Sequence, residues 1–240
     1  MALSGKTALV VGAGGLGGPA LLTLAAAGIG RLVVVDSDAV DTTNLARQPL
    51  FGEADVGARK ADAAAATLRR LFPELAVDAV DDRITAGNAE RYLGAADLAL
   101  DGTDNFASKF ALSDAAMRVK KPLIHGGVLR TTFQILTIAP AGLGGCLRCL
   151  FEGPPPDGAV PACADAGVLG ALAQAAGNLM AAEAIRLLEG ERGAYEGRLL
   201  TYEARSARGR LVLVRRRQDC PGCSPAALAP KAATAGGTAA

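Results

Sequence analysis

The sequence is 240 residues long and lacks an excess of charge of either sign. Lysine and arginine total 25 against 24 aspartates and glutamates, which leaves a formal net charge of +1. A strongly positive field is what draws a protein to nucleic acid or to an anionic membrane surface. We therefore expect neither nucleic acid nor a membrane among its partners.

Long unbroken apolar runs are missing as well. The run within residues 1–11 is too short for a secretion signal, and polar residues interrupt the apolar stretch 168–188. The sequence therefore predicts a soluble, cytoplasmic protein. Because 50% of its residues are hydrophobic, it can bury one large core, and we expect one principal domain.

Apolar runs alternate with helix-forming segments through the first half of the chain. The first run, 7–11, leads into the glycine-rich segment 12–18 and a helix, and a second run, 31–35, completes a βαβ unit. The same alternation predicts helices at 58–71 and 108–119 and strands at 76–80, 98–100 and 122–125.

The pattern changes after Gly126, where alternating β-branched residues in 131–138 and 197–214 favour antiparallel strands. We predict an α/β fold in which a Rossmann-like, mostly parallel sheet flanked by helices continues into a C-terminal antiparallel β part. The expected organisation is one domain, with a nucleotide-binding part (1–126), a C-terminal β/helix part (127–225) and a disordered tail (226–240).

The glycine-rich segment has the spacing of a nucleotide-binding turn. Gly12, Gly14 and Gly17 fit G-x-G-x-x-G directly after a strand, and Asp36 follows about 20 residues later. Such glycines, with Gly15 among them, let phosphate approach backbone N–H groups at a helix N-terminus. Asp36 can accept hydrogen bonds from ribose. A merely flexible turn is the alternative, and the motif leaves the nucleotide undecided.

The segment 35–48 has no role in a plain NAD-binding fold. Its Asn44 and Arg47 offer an amide and a cation, which suit a polyphosphate better than a nicotinamide. The stretch V-D-x-D-x-V followed by N-L-x-R-Q resembles the ThiF/HesA/MoeB family, relatives of ubiquitin-activating enzymes. The resemblance extends over residues 5–224 and implies a single adenylation domain.

This resemblance implies a specific reaction and specific partners. An adenylyltransferase of this kind uses ATP and Mg²⁺ to activate the C-terminal Gly-Gly carboxylate of a ubiquitin-like sulfur-carrier protein as an acyl-adenylate, and it releases pyrophosphate. Molybdopterin or thiamine biosynthesis would use the product. Similar family members are homodimers, and because no sulfurtransferase domain is appended, a separate sulfur-donor protein is expected.

The resemblance also assigns residues. In the family, residues like Asn44 and Arg47 contact the triphosphate, a lysine like Lys60 lies near the reacting phosphate, and Thr43 joins the expected nucleotide contacts. Fixed cations stabilise the charge that develops as a carboxylate attacks the α-phosphate, so Arg47 and Lys60 are predicted to be catalytic. The alternative is an exposed, solvated pair.

The segment 101–105, D-G-T-D-N, follows the predicted strand 98–100 and looks like a family motif. By that likeness Asp104 binds Mg²⁺ and takes part in catalysis, and Asn105 contacts the nucleotide. Either residue could instead cap the helix that follows.

Four of the five cysteines form two C-x-x-C pairs, which indicate a structural Zn²⁺ site. The predicted ligands are Cys146, Cys149, Cys220 and Cys223. Four thiolates leave no open position for water, so this zinc should stabilise rather than catalyse. An iron–sulfur cluster is the alternative.

Cys163 is the remaining cysteine and precedes a predicted helix, whose dipole could lower its pKa. Family members have a cysteine in this region that serves in some as a sulfur-relay nucleophile, and a buried small residue is the alternative. The single histidine, His125, is not assigned as a general base, because the carboxylate nucleophile is already ionised at neutral pH.

Two other functions compete with adenylation. A nicotinamide-dependent oxidoreductase would account for the glycine motif but not for segment 44–47 or the cysteine pairs. A nucleotide-binding scaffold without turnover is favoured only because residues 1–6 are too short for the N-terminal helix of family members, whose arginine reaches the partner subunit's ATP site.

Overall fold

A computed structural model describes residues 3–142, 144–156 and 167–229. The strands are β1 Thr7–Val11, β2 Arg31–Val35, β3 Ala76–Val80, β4 Leu98–Asp101, β5 Leu123–Leu129, β6 Thr132–Ile138, β7 Arg198–Glu203 and β8 Arg208–Leu213. The α-helices are α1 Gly17–Ala26, α2 Lys60–Leu71, α3 Ala89–Gly94, α4 Phe106–Val119, α5 Leu147–Leu150, α6 Gly170–Leu188 and α7 Pro225–Leu228. Residues 230–240, within the predicted tail, lie outside the described part.

The eight strands form one mixed sheet in the order β3-β2-β1-β4-β5-β6-β7-β8. The first five strands in this order are parallel, and β6, β7 and β8 are added with antiparallel pairing. This confirms the predicted fold class. The change from parallel to antiparallel pairing falls at the β5–β6 hairpin, a few residues after Gly126, because β5 continues through that glycine.

The strand order reverses between β1 and β4. From β1 the chain builds outward to β2 and β3, and it then returns to the other side of β1 for β4 and β5. Open α/β sheets bind ligands at such a point, beyond the carboxyl ends of the strands. Because Val11 and Asp101 are paired in register at these ends, the fold predicts a binding site directly above them.

Helices cover both faces of the sheet, which explains the near-continuous apolar sequence of its central strands. Alternate residues of β1 enter opposite cores: Ala8 and Val10 pack with α1, α2 and α6, whereas Leu9 and Val11 pack with α3 and α4. None of the helices in the described part combines the length and apolarity needed to span a bilayer.

The contact between α1 and α6 depends on a glycine. A Cβ atom at Gly177 would overlap the carbonyl oxygen of Leu16. We expect Gly177→Ala to lower the free energy of unfolding by about 1–3 kcal/mol, because a packed interface must move to admit the methyl group. Urea denaturation measures the change.

The control is Gly94→Ala, at a helical glycine where a Cβ would meet nothing within 4 Å. We expect it to leave stability unchanged or to raise it by under about 1 kcal/mol. Equal losses in the two variants would contradict the packing argument.

Candidate nucleotide site and cysteine cluster

A single cavity of about 820 Å³ lies at the point where the strand order reverses. Its size falls in the usual range for small-molecule sites, roughly 300–1,000 Å³. Its lining includes nine of the eleven predicted nucleotide-site residues: Gly12, Gly14, Gly15, Asp36, Asn44, Arg47, Lys60, Asp104 and Asn105. Gly17 and Thr43 do not line it.

The glycine-rich turn adopts a conformation that other residues resist. Gly12 has a φ of 86°, and a Cβ atom at Gly17 would overlap the Gly12 carbonyl oxygen. Gly17 therefore serves the packing of α1 against the turn rather than direct contact with a ligand. Helix α1 begins there without a side-chain cap, as expected where a bound anion would satisfy its first N–H groups.

Asp36 organises the same turn. One oxygen of its buried carboxylate accepts a hydrogen bond from Ala13 N at 2.7 Å, and the other accepts one from Asp38 N at 2.9 Å. Burial raises the pKa of Asp36, and these two bonds oppose the shift. A carboxylate oxygen has two lone pairs, so Asp36 can brace the turn and still accept a ribose hydroxyl.

The two predicted cations border the cavity in different ways. Lys60 is only 7% exposed, and its Nζ lies 2.9 Å from the Asp38 carboxylate. Arg47 is half-buried and donates to the backbone oxygen of Thr43 at 2.8 Å. They are therefore not a freely solvated pair. Arg59 does not line the cavity and instead forms an ion pair with Asp81.

The loop after β4 contributes the acidic side of the cavity. Asn105 lines the cavity, and its Oδ1 caps α4 by accepting the Ser108 N–H at 2.8 Å. Asp104 is exposed, and its carboxylate makes no hydrogen bond to the described residues. An exposed oxygen donor in the lining of the cavity is suited to a hydrated Mg²⁺ ion.

Gln48 is a cavity residue that the sequence analysis missed. Its side chain is 5% exposed, and its Oε1 is the one buried side-chain oxygen or nitrogen without a partner among the described residues. Its Nε2 lies beside Gly14. An unpartnered buried amide next to a glycine cradle fits a site that a polar ligand completes. The only cue in the sequence was its place directly after Arg47.

A buried charge cluster at the cavity wall was also missed, and two of its members, Lys109 and His125, line the cavity. Asp101 is fully buried, and its carboxylate contacts His125 Nδ1 at 2.8 Å and Lys109 Nζ at 3.3 Å. Burial alone would raise the pKa of Asp101, but Lys109 and the bond from His125 hold it at about 2. Burial and Lys109 lower the pKa of His125, so the ring is neutral and its Nδ1–H donates.

The four predicted metal ligands come together although 74 residues separate the two pairs. Their sulfur atoms lie within 4.8 Å of one another, and backbone N–H groups of Arg217 and Gly222 approach two of them at 3.4 Å. Burial raises the pKa of Cys223 to about 12. Four thiolates at this separation would repel one another, and a bound cation would remove that repulsion. The donor set fits a metal ion. Cys163 lies outside the described residues.

The cysteine cluster is joined to helix α4, which starts at the cavity. Arg148, between two cysteines, makes a bidentate ion pair with Asp114, in which Nε donates to Oδ1 and Nη2 to Oδ2, each at 2.9 Å. Leu147 N donates to Ser113 Oγ at 3.2 Å. The cluster thus ties the C-terminal segment to the helix that follows the acidic loop.

Fold and cavity together define an α/β protein with a candidate ligand site at the strand-order reversal. The profile of the ThiF family matches residues 2–222, and the chain belongs to this family. This confirms the resemblance carried by segment 35–48.

Two relatives are similar over most of their length. The sulfur carrier protein adenylyltransferase of Thermus thermophilus is 44% identical over 225 residues, which cover 92% of this chain and 83% of that protein. The SAMP-activating enzyme E1 of Haloferax volcanii is 43% identical over 215 residues, 90% of this chain and 79% of that protein.

A solved structure of E. coli MccB with ATP matches with a TM-score of 0.82 at 21% identity. The match covers 93% of this chain and 67% of that one. At this identity the likeness supports the fold alone.

The low pKa of Asp101 makes an acid-dependent contribution to stability. Its folded pKa of about 2 lies below the usual 3.8, so the contribution is present above pH 3.8 and is lost as the pH falls towards 2. At pH 7 we expect Asp101→Asn to cost roughly 3–5 kcal/mol, because Lys109 is left buried and unpaired. The difference from wild type should shrink below about pH 4.

Urea denaturation at several pH values measures this difference. Asp78→Asn is the control, since Asp78 pairs with Arg31 at 3.5 Å on the exposed surface. We expect it to change stability by less than about 1 kcal/mol. An Asp101→Asn cost that does not vary with pH would contradict the assignment.

Proposed function

We propose that this chain adenylates the C-terminal Gly-Gly carboxylate of a small ubiquitin-like sulfur-carrier protein with ATP, in molybdopterin or thiamine biosynthesis. The observation that carries the proposal is the shared cavity lining: Arg47, Lys60 and Asp104 border the same space as the glycine-rich turn. Family membership and the names of the two relatives support the same activity.

The proposed reaction is one displacement at phosphorus. A carboxylate oxygen of the carrier attacks the α-phosphate of ATP, the bond to the β-phosphate oxygen breaks, and the products are the acyl-adenylate and pyrophosphate. The nucleophile is already ionised at neutral pH and needs no base. This agrees with His125, which is buried and donates to Asp101.

The side chains of the cavity would act by electrostatics. Negative charge grows on the α-phosphate oxygens and on the departing pyrophosphate, and fixed cations stabilise it most in the transition state. Arg47 and Lys60 are the cations we assign to this role. When bound between Asp104 and the nucleotide phosphates, Mg²⁺ would neutralise part of the same charge.

The remaining assignments belong to the same proposal. Asp36 would bind the ribose, Asn44 and Asn105 the nucleotide, and the four cysteines a structural zinc ion. The sulfur would come from a separate donor protein, with Cys163 as the relay nucleophile. We further propose a homodimer that acts in the cytoplasm.

Carrier-dependent exchange of label between pyrophosphate and ATP tests the reaction. We expect Arg47→Ala and Asp104→Ala each to lower the exchange rate by at least about 100-fold, because each removes charge stabilisation at the reacting phosphates. Arg59→Ala is the matched control, since Arg59 precedes Lys60 in sequence but pairs with Asp81 away from the cavity.

The control should exchange at a rate close to wild type. Turnover with NAD in the absence of ATP exchange would reject the proposal and favour an oxidoreductase. ATP binding without exchange would favour a scaffold.

Elemental analysis tests the cysteine cluster. We expect about one zinc per chain in the purified protein, and loss of that zinc with a lower Tm in Cys149→Ser, because a structural site stabilises only when all four ligands bind. Cys163→Ser is the control and should keep its zinc. Iron with acid-labile sulfide in the wild type would identify an iron–sulfur cluster instead.

A further inference from the structure

Lys109 and His125, which line the cavity, form with Asp101 a group of three buried side chains that have no part in the reaction proposed above. They are Asp101 at the end of β4, Lys109 in the first turns of α4 and His125 in β5, and they are 0%, 7% and 2% exposed. Charged groups are seldom buried this deeply without a reason, since an apolar cluster of similar volume usually stabilises a core as well. Their position under the loop 102–105 suggests that reason.

Lys109 joins three elements of the fold at one atom. Its Nζ donates to the Gly126 carbonyl oxygen of β5 at 2.7 Å and contacts both carboxylate oxygens of Asp101 at 3.3 and 3.4 Å. Because Lys109 belongs to α4, the ammonium group closes the segment 101–109 into a loop that is held at both ends.

Asp101 accepts hydrogen bonds from Thr103, within that segment. Its Oδ1 accepts the backbone N–H of Thr103 at 3.0 Å and the Thr103 hydroxyl at 2.7 Å. His125 Nδ1 binds the other oxygen, which orients the carboxylate. Thr103 directly precedes Asp104, so the direction in which Asp104 points depends on these bonds.

The loop has little freedom on its other side. A Cβ atom at Gly102 would lie 3.0 Å from the backbone nitrogen of Gly17, so the loop packs against the glycine-rich turn. A displaced loop would disturb both walls of the cavity. The cluster therefore sets a boundary of the ligand site as well as filling space beneath it.

We propose that Asp101, Lys109 and His125 form a positioning cluster that fixes the loop 102–105, so that Asp104 and Asn105 hold magnesium-bound nucleotide in the geometry for reaction. The inference rests on the proposed function, because it takes magnesium nucleotide as the ligand of the cavity. Lys109 is the central member. The three residues act through the loop and are positioning residues rather than catalytic ones.

Lys109→Met tests the cluster, since it removes the ammonium group and keeps most of the apolar stem. We expect the half-saturating Mg²⁺ concentration for ATP binding, measured by calorimetry without carrier, to rise at least about tenfold, as is usual when a residue that orients a metal ligand is lost. The exchange kcat should fall with it, while the KM for the carrier stays near wild type. Lys109→Arg keeps the charge and should restore most of both values.

Glu183→Gln is the matched control for a purely structural role. Glu183 is 1% exposed in α6, and its carboxylate accepts bonds from Thr137, Ala194 and Tyr195, none of which lines the cavity. We expect this variant to lower the Tm and to leave the Mg²⁺ dependence unchanged. If Lys109→Met also lowers only the Tm, the positioning role is wrong.

Thr103→Val is the second test of the cluster, to be used if Lys109→Met does not fold. It removes one bond from the loop to Asp101 and leaves the buried ions in place, so we expect a raised Mg²⁺ requirement at an unchanged Tm. An unchanged requirement would overturn the proposal. Failure of wild-type exchange despite magnesium-dependent ATP binding would count against the carrier reaction alone, whereas a wild type that binds no magnesium ATP overturns both.

Discussion

The candidate site depends on how closely the turn after β1 approaches the loop after β4. A Cβ atom at Gly12 would lie 2.8 Å from the carbonyl oxygen of Gly102, so only backbone fits between the two segments. The approach follows from topology, because β1 and β4 are neighbours that end together at Val11 and Asp101. Backbone amides from one strand end and the acidic Asp104 from the other therefore border one cavity.

Two buried carboxylates, one directly after β2 and one at the end of β4, hold nearby turns in the same way. Their pKa values shift in opposite directions. Asp36 and Asp101 both end buried apolar stretches and both accept backbone N–H groups of nearby turns. Burial leaves the pKa of Asp36 raised, whereas the Lys109 ammonium and the His125 bond outweigh burial at Asp101. An ionised carboxylate accepts hydrogen bonds only, so Asp101 keeps the loop in one arrangement across the neutral range.

The sequence predicted the features that depend on local pattern. Glycine spacing after an apolar run located the turn, and the two C-x-x-C pairs located the metal ligands, because both demand particular residues at short separations. The sequence analysis did not identify Lys109 and Gln48. Their roles depend on burial and on contacts between elements that are distant in sequence, and the hydrophobic pattern shows neither. Thr43 shows a limit of the other kind. The family resemblance placed it among the expected nucleotide contacts, whereas in the structure its hydroxyl donates to Asp41 and the residue does not line the cavity.

The acidic loop holds the start of α4, and the cysteine cluster holds its middle. Asn105 caps its start, while Ser113 and Asp114, two turns further, bind the backbone of Leu147 and the side chain of Arg148 beside the cysteines. A helix held at both positions cannot tilt without breaking one set of bonds. Because Lys109 lies between them, a metal ion bound by the cysteines would stiffen the support of the charge cluster from a distance.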